Sequence, residues 1–440
     1  MIIDQIKKYF PVISVVIITL IGLLYFFQTP YPIVPTDVPE ATKVYFVDNI
    51  SPAHQLAIDK FNQAYKGRIE VVPVNLLFDK FSTNERKELL ARSLRSKSDR
   101  IDVFAVDYIW VPRFARWSEP LDKYFSGEDR SRILPYALKT CVYESTLVSL
   151  PLYIDIGMMY YRRDILQQLP NAEALERRLK QSITWDELVR LSEKLGYHNR
   201  PFYIYQADDY EGLVCNFFEL LAGQDRRIFE DNAIDLTSPA ASIALQQLVD
   251  FVHVKHISPS EVTGFDENRS YQYMLDHDAM FVRGWPNFIE NFQKTYADTA
   301  KLNRVGRAAL PHFTGAPATS VFGGWNLMIS KYSPKKKEAV EFLRFLQTEE
   351  IQKQMFETGG YIPVNTRIYK DSVYLHQRPE LAYYSTLLDR GFHRPAMIEY
   401  TKVSDIVSHF VHLAITKELT VPEALHRASQ MIRSNKVLIK

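Results

Sequence analysis

Three short stretches hold residue types that could do recognition chemistry. Ile101-Asp-Val-Phe-Ala-Val106 reads as a buried strand, and it ends in Asp107-Tyr108-Ile109-Trp110. Gly284-Trp285-Pro286 turns the chain after the apolar run Asp278–Val282, and Phe322-Gly323-Gly324-Trp325 opens another strand. A carboxylate accepts hydrogen bonds from hydroxyls, and an indole offers a flat apolar face with one N–H donor. A glycine pair lets backbone approach another group closely. Taken alone, the Gly-Gly-Trp stretch fits a bulged core strand as well as it fits a binding edge. Asp107 with Asp155 also suggests a glycosidase acid and base. That chemistry needs the two carboxyls about 5–10 Å apart, a distance sequence does not fix. Isolated acids at strand ends more often accept hydrogen bonds from a ligand or a helix.

Other chemistries find no support. The sequence has no G-x-x-x-x-G-K-[ST], G-x-G-x-x-G, G-x-S-x-G or H-E-x-x-H motif. No cofactor or metal is therefore expected. His253 and His256 have helical spacing, but capping or solvated histidines are the commoner outcome. Cys141 and Cys215 lack metal-ligand spacing, leaving one disulfide or two buried thiols. A net charge of +1 argues against a nucleic-acid partner. The 26 tyrosines and 26 phenylalanines fill a core first, and a surplus suits stacking on flat ligands.

The elements that must position these residues alternate. Lys43–Val47, Ile69–Val74 and Ile101–Val106 read as strands separated by helices at 51–65 and 79–97. This β-α-β-α-β order implies a parallel sheet. In open α/β sheets, ligands sit beyond the carboxyl ends of strands, where Asp107, Tyr108 and Trp110 fall. Val148–Tyr161 reads as one long apolar strand broken at Pro151 and Gly157, a natural hinge between two lobes. Thr184-Trp-Asp-Glu187 is a capping box. Ser333 is the expected N-cap of an amphipathic helix with Pro334 at its first position, and Lys335–Lys337 read as a solvated face. Gly359 is the expected left-handed residue ending the next helix, and Gly359-Gly360 then reads as part of the hinge. The tail over 402–435 reads as helical.

The amino terminus is a separate element. Tyr9 to Phe27 is 19 residues without a charge, about the length needed to span a 30 Å hydrocarbon core. Lys7 and Lys8 precede it, and no Lys or Arg follows until Lys43, which places the amino terminus in the cytoplasm. A cleaved signal peptide is the competing reading, but the run ends in Tyr-Phe-Phe-Gln-Thr-Pro rather than in small residues. The expected division is a cytoplasmic tip at 1–8, an uncleaved transmembrane signal anchor at 9–27 and a Pro-rich tether at 28–42. The first lobe is then 43–150 with 321–359, and the second 151–320 with 360–440.

The motifs IDVFAVDYIWVPRFA, LPLYIDIGMMYYRRDIL, TWDEL, AMFVRGWPNFIE, FGGWNLMISKYSPKKKEAVEFLRFL, GGYIPVNTRIY and HRPAMIEYTKVSDIV occur in this order. The chain thereby resembles the family 1 extracellular solute-binding proteins of ABC importers, the group of the maltose- and trehalose/maltose-binding proteins, over about residues 43–435. The resemblance implies a two-lobed α/β fold of the periplasmic-binding-protein type, with a hinge and an interlobe cleft. It implies a non-enzymatic protein that captures a small solute, a sugar or oligosaccharide, outside the cytoplasm and delivers it to importer permease subunits. By the same matches, Asp107 binds sugar hydroxyls and its neighbour Tyr108 lies at the site. Tyr153 and Asp155 face the cleft, Trp285 stacks on the ligand, and Gly323, Gly324 and Trp325 form an edge. Arg394 matches a basic site residue, while Asn49 and Ser51 match polar contacts after the first strand. A retained anchor departs from the usual family pattern. It leaves open a sensory or scaffold module on the same fold; a secreted hydrolase, predicting turnover abolished in Asp107→Ala, is the third reading.

Overall fold

The computed structural model describes residues 40–76, 83–98, 100–197, 200–225, 227–229 and 234–434, together with Thr19. The expected anchor at 9–27 and nearly all of the tether lie outside the described residues. Among the described residues, no helix is long and apolar enough to cross a membrane.

The first lobe opens with β1 (Thr42–Asp48), α1 (Pro52–Ala64), β2 (Ile69–Asn75), α2 (Thr83–Arg95) and β3 (Val103–Asp107). β1 pairs parallel with both β2 and β3, as the alternation requires. Ser51 starts α1 with a capping box, its Oγ accepting from the His54 N–H, and Pro52 follows at the position where an N–H is not needed. The chain then crosses through β4 (Leu150–Ile156) and β5 (Met158–Arg162). The expected long strand breaks only at Gly157. Pro151 stays inside β4, opposite Asn326, where the register shifts by one residue. A proline is tolerated there because the bulge needs one ladder donor fewer.

The second lobe contains β6 (Tyr203–Ile204), α3 (Glu211–Gln224), α4 (Pro239–His253), α5 (Glu267–Asp276), β7 (Phe281–Gly284), α6 (Phe288–Phe292) and β8 (Val305–Ala308). Its four-stranded sheet has the order β8-β5-β7-β6. The chain returns through β9 (Ser320–Ile329), then α7 (Lys336–Leu346), α8 (Glu349–Gly359), β10 (Gly391–Phe392), α9 (Tyr400–Ile415) and α10 (Val421–Arg433). β9 completes the first sheet, in the order β10-β9-β3-β1-β2, and also pairs with β4. Phe46, Phe61 and Phe342 tie β1, α1 and α7 together edge to face, with ring centroids 5.1 and 5.4 Å from Phe342.

Several local expectations shift. α7 begins at Lys336, because Ser333 turns inward: its Oγ accepts from the Lys335 N–H and donates to buried Asp102. Lys335 pairs with that same Asp102 at 3.1 Å and Lys336 with Glu119 at 3.4 Å, so only Lys337 is the exposed lysine of the expected solvated face. The left-handed residue ending α8 is Gly360, with φ +71°, rather than Gly359. The tail is helical as expected and divides into α9 and α10, because Thr420 starts the second with its own capping box. Cys141 and Cys215 are buried free thiols, which decides between the two readings left open.

Candidate functional site

Strand register assembles the floor of the site. Trp325 on β9 stands opposite Asp107 on β3 and opposite Tyr153 on β4, and Gly323 stands opposite Asp155. Three neighbouring strands thus bring the strand-end acid, the Gly-Gly-Trp edge and the hinge strand to one place. Both glycines are required. Gly324 has φ +126°, and a Cβ there would lie 2.6 Å from the Tyr153 carbonyl oxygen. A Cβ on Gly323 would lie 2.9 Å from the Trp285 ring, which reaches it from the second lobe.

The cleft has a volume of about 570 Å³, within the range of small-molecule sites. Its lining includes Asn49, Ser51, Asp107, Tyr153, Asp155, Trp285, Gly323, Gly324, Trp325 and Arg394. Tyr108 is not in the lining. It is buried beneath, its hydroxyl donating to the Phe322 carbonyl at 3.1 Å and accepting from Arg394 at 3.2 Å. Ser51 is at the cleft edge, but its hydroxyl already caps α1.

Charge is arranged in two groups. Arg394, 2 % exposed, bridges Asp107 at 3.1 Å and Glu211 at 2.5 Å. Glu211 also accepts from the hydroxyls of Tyr400 and Ser404. Burial is the largest influence on Arg394 and opposes its charge, but Asp107 together with Tyr108, Cys215 and Tyr400 outweighs it and holds the pKa up. In the second group, Arg86 donates to Asp48 at 3.3 Å and lies 4.6 Å over the Trp325 ring, which Trp110 meets edge-on. His54 stacks on Tyr361 at 4.8 Å, and burial holds its imidazole neutral by lowering its pKa.

Trp285 is fixed on the second-lobe wall. Its N–H donates to the Tyr271 hydroxyl at 2.8 Å, its indole N–H to Glu267 at 3.2 Å, and Arg283 covers one face at 4.0 Å. Arg283 is itself held by Glu219 in a buried pair at 2.8 Å, directly under Gly157. Three buried polar atoms in the lining have no hydrogen-bond partner among the described residues: His54 Nε2, Arg86 Nε and Asp155 Oδ1. Burial, then the neighbouring Asp107, pushes the Asp155 carboxyl up to about 7. Buried polar groups are normally paired, so these three atoms are fit for a polar ligand.

Asp48, His54, Arg86, Tyr210, Glu211, Glu267, Tyr271 and Tyr361 also line the cleft and were not anticipated. Asp48 ends β1 as Asp107 ends β3, so the strand-end rule would have found it. Tyr361 directly follows the glycine pair. Among the described residues no cluster of His, Cys, Asp and Glu is arranged to hold a metal. His253 instead makes a 2.7 Å hydrogen bond with the Ile415 carbonyl.

Residues 45–353 match the family of bacterial extracellular solute-binding proteins, and the chain belongs to that family. It is a solute-binding protein of ABC transport, not an enzyme, which removes the hydrolase reading of Asp107 and Asp155. A probable ABC transporter-binding protein of Deinococcus radiodurans is 26% identical over 355 residues, covering 78% of this chain and 82% of its own. The maltose-bound MalE3 of T. maritima superimposes with a TM-score of 0.79 at 27% identity, covering 89% of this chain and 99% of that one. A Thermotoga lettingae ABC transporter solute-binding protein bound with α-D-tagatose has a TM-score of 0.75 at 22% identity, covering 89% and 98%.

Proposed function

We propose that this protein captures a sugar or short oligosaccharide between its lobes and passes it to the permease subunits of an ABC importer. An uncleaved helix over 9–27 holds it at the outer face of the membrane. We place the first lobe at 43–150 with 321–359 and the second at 151–320 with 360–440, apart from β4 and β10, which pair with β9 in the first sheet. One observation carries the ligand reading: Trp285, Tyr153, Tyr361 and Trp325 surround His54 Nε2, Arg86 Nε and Asp155 Oδ1, all buried and unpartnered among the described residues. A sugar presents apolar C–H faces to aromatic rings and hydroxyls to charged hydrogen-bonding groups, which strengthens each bond. The sugars named for the maltose- and tagatose-bound relatives support the same class.

A thermal-shift screen over mono- and oligosaccharides, amino acids and polyamines tests the ligand class. A ligand at 100 times its dissociation constant stabilises by about 2.7 kcal/mol. Stabilisation by a saccharide is the expected result; stabilisation by amino acids or polyamines alone overturns it. Intact-mass measurement of membrane-extracted protein tests the anchor, since a mature chain beginning near residue 30 would show cleavage.

A further inference from the structure

The end of the first lobe remote from the cleft takes no part in solute binding, and it is basic. β1, β2 and β3 start there, and β9, antiparallel to β3, ends there. Lys66 and Arg68 precede β2. Arg92, Arg95, Lys97 and Arg100 lie on the end of α2 and the loop into β3. Lys331 follows β9, and Lys337 is in the first turn of α7. All of these side chains are exposed, and none has an ion-pair partner among the described residues. Exposed Arg344 elsewhere in the lobe does pair, with Asp129. The carboxylates nearby are partly engaged: Glu40 pairs with Lys43 at 2.8 Å, and Glu341 accepts from the Tyr65 hydroxyl. Glu70 and Glu338 also lie here, and Asp99, between Ser98 and Arg100, is outside the described residues.

Within this face Tyr332 is 38% exposed. The Lys97 and Lys331 ammonium groups lie 5.5 and 5.3 Å from its ring centre. A half-exposed tyrosine rimmed by lysines has the composition favoured where a bilayer meets water. The chain also enters the fold here, since the Thr42 N–H donates to the Arg68 carbonyl at 2.9 Å. Residues 28–39 separate Glu40 from the apolar run 9–27, a reach of at most about 40 Å.

We propose that this face of the first lobe docks on the anionic headgroup surface of the membrane, a proposal that rests on the anchor at 9–27. Clustered lysines and arginines gain from a negative leaflet within about one screening length of it, and the short tether keeps them near it. Asp48 and Asp107 lie at the opposite ends of β1 and β3, so docking leaves the cleft uncovered for solute.

The test uses the full chain reconstituted in phosphatidylcholine nanodiscs, with and without phosphatidylglycerol. Acetylation rates of Lys66, Lys97, Lys331 and Lys337 are read by mass spectrometry, with exposed Lys194 and Lys417 as references. On the anionic discs the four patch lysines react several-fold more slowly than on the neutral discs, while the references are unchanged. The difference disappears at about 1 M salt, where the screening length is about 3 Å, and in the R92E/R95E/R100E variant. Equal rates on both discs for inserted protein overturn the docking and leave the anchor standing. A chain that stays lipid-free overturns the anchor and the docking with it.

Discussion

Asp155 is the residue on which the site is most finely balanced. Its side chain is buried beside Gly323, with one carboxyl oxygen unpartnered among the described residues. Its pKa, about 7, stands above the ordinary 3.8 because burial and Asp107 disfavour the charged form. A raised carboxyl pKa means the folded state prefers the proton. Its stability contribution is therefore fully present below pH ~4 and lost as pH rises towards ~7. The unliganded protein should lose thermal stability over that window, and Asp155→Asn should flatten the dependence while weakening solute binding. Differential scanning calorimetry from pH 4 to 8 reads both; an unchanged slope in the variant removes Asp155 as the cause. Trp285→Ala should weaken binding by about 1–3 kcal/mol with the fold intact, which calorimetric titration measures. Trp285 and Trp325 were legible because a glycine or proline beside an aromatic at a strand end is a local signal. Arg86 and Glu211 were not. One is a basic residue in a basic helix, and the other resembles an ordinary acid in a helix's first turn. Their partners, Asp48 and Arg394, are 38 and 183 residues away in sequence.

At the scale of elements, β9 does most of the positioning. Phe322–Leu327 pair with β4 and Trp325–Ile329 with β3, so Trp325, Asn326 and Leu327 are flanked on both sides, and the register with β4 shifts after Trp325. Gly324 lies just before that shift. Alanine there would carry a φ of +126° and put its Cβ 2.6 Å from a backbone oxygen. Gly324→Ala should therefore cost about 1–3 kcal/mol of stability, whereas alanine at the exposed, structurally unconstrained Gly127 should cost far less. Urea unfolding of the pair checks this, and equal midpoints would defeat it. The β-α-β-α-β order and the break at Gly157 were readable because period and glycine placement are local properties. The inward turn of Ser333 was not, because it depends on Asp102, which is buried and distant in sequence.

Across the whole molecule, the two sheets are joined by few covalent crossings, and Arg394 adds a bridge of charge between them. Its guanidinium touches Asp107 on β3 of the first lobe and Glu211 on α3 of the second. Removing one member of a buried ionic group leaves the others uncompensated, a loss of about 3–5 kcal/mol. Arg394→Met keeps most of the volume and removes the charge, leaving two buried carboxylates. In the wild-type protein burial already raises the Asp107 pKa and Arg394 opposes that rise; without Arg394 the rise is larger. The variant should then be more stable at pH 5 than at pH 7.5, since protonation relieves the buried charge, and it should bind solute poorly at pH 7.5 even when folded. Small-angle scattering with and without saccharide separates the two effects. Only a ligand that prefers the closed arrangement can shift the lobes. The wild-type radius of gyration should fall on binding, while a folded variant at pH 5 should show a smaller fall or none. An equal contraction in both proteins would show that the lobes close without this bridge.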